Sequence, residues 1–141
     1  MSWTKTFEQD LHDKYDAPAK AAVANYMTKL GYEIIPNPDK YGVDLLVNHN
    51  GIGIGVIEVE VRQWSPMCPF PTIHVPERKT KFFNGNSLFF ALTKDMQHAY
   101  WIESKDILRY PLKEVRNVKV ASGELFFDVP TSEFNFVDLE E

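Results

Sequence analysis

In Val56-Ile57-Glu58-Val59-Glu60-Val61-Arg62, apolar and charged residues alternate from Ile57 onward. Because successive side chains of a β-strand point to opposite faces, its three apolar residues after Val56 share one face and its three charged residues share the other. The pattern therefore predicts a strand with one face in an apolar core, and it places two acids and an arginine together on the opposite face.

A turn signal directly precedes this strand. Asn48-His49-Asn50-Gly51 is typical of a β-hairpin, so the sequence predicts a long strand over 52–62 that returns beside an earlier strand over 43–47. Asp44 lies in that earlier strand among apolar residues. A lone acid in such a place is costly unless a cation, a hydrogen-bond donor or a solvent-filled cleft receives it.

The length of the hairpin loop determines whether the acids meet. A three-residue loop over 49–51 would place Asp44 opposite Val56, on the face of Glu58 and one diagonal step from it. The two Cβ atoms would then be roughly 5–7 Å apart, which is close enough for two carboxylates to hold one divalent ion. A two-residue turn would put Asp44 on the other face, and a bulge at a glycine of this strand would shift the register again.

The rest of the chain predicts a mixed α/β or α+β domain built on one central sheet. We expect a single domain over 1–141, with a core over about 16–103, a C-terminal strand extension over 104–130 and an acidic tail over 131–141. The predicted elements are a helix from the N-cap Asp16 to Gly31, a strand at Tyr32–Ile35, the two hairpin strands, a proline-containing loop over 65–71, a helix over 76–84, strands over 87–93 and 99–102, and strand pieces over 107–129.

The composition is that of an ordinary globular domain and argues against several classes of protein. Hydrophobic residues make up 44% of the chain and charged residues 25%, while the longest apolar run, Leu88–Leu92, is far short of the ~20 residues that cross a bilayer. The single cysteine, Cys68, cannot form an internal disulfide or a cysteine-based zinc site. No secretory signal pattern is visible over 1–16. We therefore expect a soluble, cytoplasmic domain with no membrane partner.

Charge is unevenly distributed beneath the net charge of −5. Residues 62–119 carry ten Lys or Arg and five Asp or Glu, which gives +5, whereas residues 120–141 carry six acids and no base. A cationic middle section is compatible with a polyanionic partner such as DNA. Solvated surface charge with no partner is the alternative explanation.

Four features follow one another along the chain: Gly42-Val43-Asp44, the hairpin, Ile57-Glu58-Val59-Glu60 and the basic helix. In this order they resemble the PD-(D/E)xK nuclease superfamily. The resemblance covers about residues 16–103 and implies a restriction-endonuclease-like αβββαβ core, a central mixed sheet flanked by helices, with extra C-terminal strands. It implies that Asp44, Glu58 and the backbone carbonyl of Val59 bind Mg²⁺ or Mn²⁺. The implied activity is metal-dependent endonuclease cleavage of DNA.

The sequence departs from the superfamily at the third motif position, where Glu60 replaces the usual lysine. A few restriction endonucleases of the superfamily also carry glutamate there, and Glu60 can accept a proton from the attacking water or help to bind a second ion. Some members supply the missing cation from the following helix, for which Lys79 and Arg78 are the best candidates, with Arg62 behind them. Arg62, Arg78, Lys79 and Lys81 are also the expected contacts with nucleic acid.

Three other interpretations stay open. The same fold could serve a catalytically inactive DNA-binding or accessory protein, which the missing lysine and the pI of about 5.4 favour. The acids could lie on a solvated sheet face with no role in chemistry. The acidic tail could imitate nucleic acid in a structural or inhibitory protein.

The tail carries a strand pattern of its own. Phe134 and Phe136 alternate as in a strand that is added to the edge of a sheet. Because cleavage of both strands of a duplex needs two active centres, we expect a homodimer. The tail strand is predicted to pack on its own sheet edge or on that of the partner, with residues Asp138–Glu141 in solvent.

Overall fold

The computed structural model describes residues 17–38, 43–77, 79, 86–115 and 124–140. In chain order its elements are α1 (17–29), β1 (Glu33–Pro36), β2 (Leu45–His49), β3 (Ile52–Val61), β4 (Thr72–Pro76), β5 (Ser87–Leu92), β6 (His98–Glu103), α2 (Ser104–Ile107), β7 (Leu112–Val115), β8 (Glu124–Pro130), a 3-10 turn at Thr131–Glu133, and β9 (Asn135–Asp138). Within these ranges no helix is long and apolar enough to cross a membrane.

A six-stranded sheet forms the centre of the fold, with strand order β1-β2-β3-β5-β6-β9. β3 and β5 run parallel, and the other neighbouring pairs run antiparallel. The central mixed sheet and the few helices confirm the predicted α/β class. A second, three-stranded antiparallel sheet has the order β4-β8-β7. Its first strand, β4, lies between the predicted loop over 65–71 and the predicted helix over 76–84, where no strand was expected.

Both faces of the central sheet are buried. On one face α1 packs through Ala19, Val23 and Met27, which recur every fourth residue and lie in one apolar cluster with residues of β2 and β3. On the other face the second sheet contributes Val75 and Val129 to a separate apolar cluster with residues of β5 and β6. The charged face of β3 therefore lies on the side that the second sheet covers.

Of the two loop lengths that the sequence left open, the hairpin has the two-residue turn. Asn50 and Gly51 form the turn with positive φ angles of 53° and 77°, the combination that matches the twist of the flanking strands. His49 pairs with Ile52 across this turn. The tightness of the turn follows from the residues that occupy it, since asparagine and glycine tolerate positive φ better than other residues.

A β-bulge in β3 returns Asp44 to the face of Glu58, whereas the two-residue turn alone would have placed it on the opposite face. Val47 pairs with Gly55 and Asn48 with Gly53, which leaves Ile54 without a partner between them. Leu45 consequently pairs with Ile57. Asp44, the residue before Leu45, therefore lies opposite Glu58 and not opposite Val56.

The two ends of the described chain add detail. Gly31 ends α1 with a φ of 101°, and Tyr32 N–H donates to Met27 O, a bond that closes the helix end as the sequence predicts.

β9 pairs with β6 of its own sheet, one of the two packings predicted for the tail. Leu139 is only 4% exposed, so the expectation that all of 138–141 lies in solvent is wrong for this residue. The N-cap Asp16 and most of the predicted helix over 76–84 lie outside the described residues.

Candidate active site

Asp44 is held against the backbone of β3. Its Oδ2 atom accepts a 2.7 Å hydrogen bond from the Val59 N–H group. From the other side Asn37 N–H donates to the Asp44 carbonyl over 3.3 Å, and the Asn37 side chain donates to the Val43 carbonyl over 2.9 Å. These bonds fix the position of the carboxylate although Asp44 itself precedes β2.

Glu58 is a buried acid between the two sheets. It is 1% exposed, and its Oε2 atom lies 3.1 Å from the Nζ atom of Lys79. A carboxylate that loses its water is stable only with a close cation or donor. Lys79 provides that partner from a position 21 residues further along the chain.

The two acids interact directly. Burial raises the pKa of Glu58, and the charge of Asp44 together with a hydrogen bond between the two carboxyl groups raises it further. Lys79 opposes this shift, and the resulting pKa is about 7, against an ordinary value of 4.5. Around pH 7 Glu58 therefore still holds a proton in part of the molecules, chiefly because it is buried and in addition because Asp44 lies beside it.

A second lysine, Lys20 of α1, lies beside the other acid. Its Nζ atom is 3.5 Å from Asp44 Oδ1, so each carboxylate of the pair has a lysine within ion-pair distance. The sequence analysis did not single out Lys20, because nothing in a helix pattern indicates which strand its first turn will face. Asn37 was missed as well, although its position between Pro36 and Pro38 is typical of a turn that orients neighbouring backbone.

Glu60 lies apart from the two paired acids. Its Oε2 atom forms a 2.9 Å ion pair with Arg62, whose guanidinium also donates to the His74 carbonyl over 2.6 Å. Arg62 thus ties β3 to β4. In the part of the chain that the structure describes, no group of three or more acid, histidine or cysteine side chains is placed to hold a metal ion.

The donors around Asp44 and Glu58 fit a hard divalent cation. In a strand the N–H and C=O groups of one residue point to the same neighbour, so the Val59 carbonyl points to the side on which Asp44 receives the Val59 N–H group. Mg²⁺ typically binds one or two carboxylates and keeps several water molecules. Two carboxylates and one carbonyl are a sufficient protein contribution for that ion. A bound cation would offset the charge of Asp44 that faces the buried Glu58 carboxyl group.

The structure brings together four of the predicted site residues, Asp44, Glu58, Val59 and Lys79. It places Glu60 and Arg62 further along the same strand as a pair. Arg78 and Lys81, predicted to contact nucleic acid, lie outside the described residues.

No family model matches this chain, and no curated protein matches it. Among solved structures the fold is similar to that of Archaeoglobus fulgidus Hjc, a Holliday junction resolvase from an archaeal hyperthermophile. The match covers 97% of this chain and 84% of that chain, at 12% sequence identity and a TM-score of 0.43. It is a likeness of the overall fold, and the roles assigned below rest on the geometry around Asp44 and Glu58.

Proposed function

We propose that this protein is a metal-dependent endonuclease that hydrolyses phosphodiester bonds of DNA. The observation that carries the proposal is the buried Glu58 carboxyl group, which touches a second carboxyl group on one side and a lysine on the other. Two adjacent acids beside a cation are a donor set with which a protein can hold a metal ion for phosphodiester hydrolysis.

Asp44, Glu58 and the Val59 carbonyl would hold the ion, Mg²⁺ or Mn²⁺. Such an ion, when bound, supplies positive charge to the phosphate under attack and lowers the pKa of water. Lys79 is close enough to Glu58 to donate a hydrogen bond to a phosphate oxygen at the same place. Glu60 would orient the attacking water through the carboxylate oxygen that does not face Arg62, and Arg62 keeps that carboxylate in position.

Charge supports a nucleic acid as the substrate. The section over 62–119 has a net charge of +5 in a chain whose total is −5. Lys79 and Arg62 from this section lie on the side of the acids, and Arg78 and Lys81 belong to the same section. Contacts between such basic side chains and the phosphates of DNA give binding that weakens with added salt. A homodimer and a cytoplasmic location stay predictions.

The proposal is tested by cleavage of duplex, nicked, branched and single-stranded DNA with Mg²⁺, with Mn²⁺ and with a chelator. We expect cleavage of at least one form that needs the metal and is lost in Asp44→Asn. Glu140→Gln, which changes an exposed acid remote from the pair, is the control and should cleave like the wild type. Undiminished cleavage by Asp44→Asn would remove the proposal.

A DNA-binding protein without catalysis is the second candidate. The observation that favours it is that both acids already lie beside lysines, so the site is charge-balanced without a metal ion. Calorimetric titration with Mn²⁺ separates the two candidates. Binding that is lost in Asp44→Asn supports the enzyme, whereas DNA binding by a protein that takes up no Mn²⁺ supports the second candidate.

A further inference from the structure

A cavity of about 320 Å³ lies beside the end of β3, between that strand and the edge of the second sheet. It is lined by the side chains of Arg62, Trp64, Phe70 and His74 and by the chain over 71–73. The volume is within the range of small-ligand sites. We call this cavity the aromatic pocket.

The aromatic pocket lies further along the β3 chain than the candidate active site. Arg62 follows Glu58 by four residues and lies on the same face of β3, which corresponds to about 13 Å at the usual rise of a strand. Glu60 lies between them and pairs with Arg62. A polymer that passes the acids along β3 would therefore reach the pocket next.

The pocket presents one exposed aromatic ring and one ring that is fixed by packing. Phe70 is 59% exposed, a large fraction for a phenylalanine. Trp64 packs edge-on against Tyr100 with ring centroids 5.5 Å apart, which fixes the indole. Arg62 is held by its bonds to Glu60 and to the His74 carbonyl. A fixed indole and a fixed guanidinium bind planar groups at a small entropic cost.

The segment over 62–76 contains an arginine and a histidine but no Asp or Glu. Acids outside the segment lie beside both groups, since Arg62 pairs with Glu60 and His74 Nε2 is 3.2 Å from Asp128. Aromatic rings beside cationic groups stack with nucleobases and tolerate any base, because every base has a π-face. Inside a duplex those faces are covered by the neighbouring base pairs, so only an unpaired base can enter.

We propose that the aromatic pocket binds an unpaired nucleotide of the DNA, so that the substrate class is DNA with a single-stranded segment near the cleaved bond. The inference rests on the proposed function in that DNA is the ligand. Phe70 and Trp64 stack on the base, and Arg62 and His74 face the backbone. The stacking rings then select which DNA reaches Asp44 and Glu58 without taking part in the chemistry.

The test measures binding by fluorescence anisotropy with Ca²⁺ in place of Mg²⁺, using a blunt duplex and the same duplex with a single-stranded extension. The wild type should prefer the extended DNA, and Phe70→Ala should lose about 5- to 150-fold in affinity for it, the effect of one stacked base. Affinity for the blunt duplex should not change. Phe70→Tyr, which keeps an aromatic ring, should retain the preference.

Met67→Ala is the matched control, since Met67 is 57% exposed in the same loop and does not line the pocket. The backbone carbonyl of Phe70 accepts a hydrogen bond from Thr131 that alanine would preserve, so Phe70→Ala should fold. An unchanged preference in Phe70→Ala, or a wild type without preference, would overturn the inference while cleavage by the wild type left the proposed function standing. A ring-dependent preference in a protein that cleaves no DNA would overturn the proposed function alone.

Discussion

The Val59 N–H group donates a 2.7 Å hydrogen bond to Asp44 Oδ2, across fifteen residues of chain. Asp44 is therefore anchored to the strand that carries Glu58, and the separation of the two carboxyl groups follows from the pairing of β2 with β3. The anchor uses one carboxylate oxygen of Asp44, and the other oxygen lies 3.5 Å from Lys20 Nζ. This arrangement leads to separate expectations for activity and for stability.

Asp44→Asn should lower cleavage by at least about 100-fold, because an amide is a poor ligand for Mg²⁺ and carries no charge. The asparagine oxygen can still accept the Val59 hydrogen bond, so we expect the free energy of unfolding to change by only about 1 kcal/mol. Plasmid cleavage and urea unfolding measure the two effects on the same preparation. A variant that loses activity only because it unfolds would contradict this expectation.

Lys79→Met should destabilise the protein more at high pH than at low pH. Above pH 7 Glu58 is ionised, and without Lys79 it becomes a buried charge beside Asp44, which costs about 3–5 kcal/mol. Near pH 5.5 the same carboxyl group is protonated and the cost is much smaller. Urea unfolding at both pH values measures the difference. Lys105→Met, which removes an exposed partner of Glu103, should show no such dependence.

Glu58 should also give the wild type a pH-dependent stability. Its pKa of about 7 in the folded protein exceeds the ordinary 4.5, so the folded state binds the proton more tightly than the unfolded chain. The contribution of this group is fully present below about pH 4.5 and is lost as the pH rises to about 7, a change on the order of 3 kcal/mol. Glu58→Gln should flatten the slope in urea unfolding between these pH values. An identical slope in wild type and variant would exclude Glu58 as its source.

Cation binding should release a proton below neutral pH. The ion and the proton compete for the carboxyl pair, so affinity for Mn²⁺ should fall by up to about tenfold per unit as the pH decreases from 7 to 5. Titration calorimetry in two buffers of different ionisation enthalpy measures both the affinity and the number of protons released. Equal enthalpies in the two buffers at pH 6 would show that Glu58 does not carry the proton.

Leu139→Ala should lower the free energy of unfolding by about 2–5 kcal/mol, because Leu139 is buried in the cluster that also contains α1 residues. Phe136→Ala is the comparison within the same segment. Phe136 is 43% exposed, although it contacts Tyr100 with ring centroids 4.7 Å apart, so a smaller loss is expected. Thermal or urea unfolding of both variants checks the order, and a larger effect at Phe136 would contradict it.

The sequence predicted the features of this protein that depend on local periodicity. The alternation of β3 placed Glu58 and Glu60 on the face opposite Ile57, and Gly31 marked the end of α1. The alternation of Phe134 and Phe136 indicated an edge strand, and β9 forms one that includes Phe136, whereas Phe134 lies just before it in the apolar cluster under the second sheet. Each of these follows from residues within a few positions of one another.

The parts that could not be predicted depend on pairing between distant residues. β4 is a short strand next to prolines, and its partner β8 lies more than fifty residues away, so no local pattern indicates the second sheet. Without that sheet the charged face of β3 looks solvent-exposed, and the burial of Glu58 cannot be deduced. The ion pair of Lys20 with Asp44 depends in the same way on how α1 is oriented over the sheet.

The bulge at Ile54 restricts how the length of this hairpin can vary between related proteins. Asn86 donates a 3.0 Å hydrogen bond to the Ile54 carbonyl and so fastens the unpaired residue to the chain before β5. Deletion of one residue from β3 without a matching change in the turn would exchange the faces of Ile57 and Glu58, because side chains alternate along a strand. The acid would then point into the apolar cluster under α1. Relatives that keep Asp44 and Glu58 together are thus expected to gain or lose residues here in compensating steps, with turn and bulge altered at once.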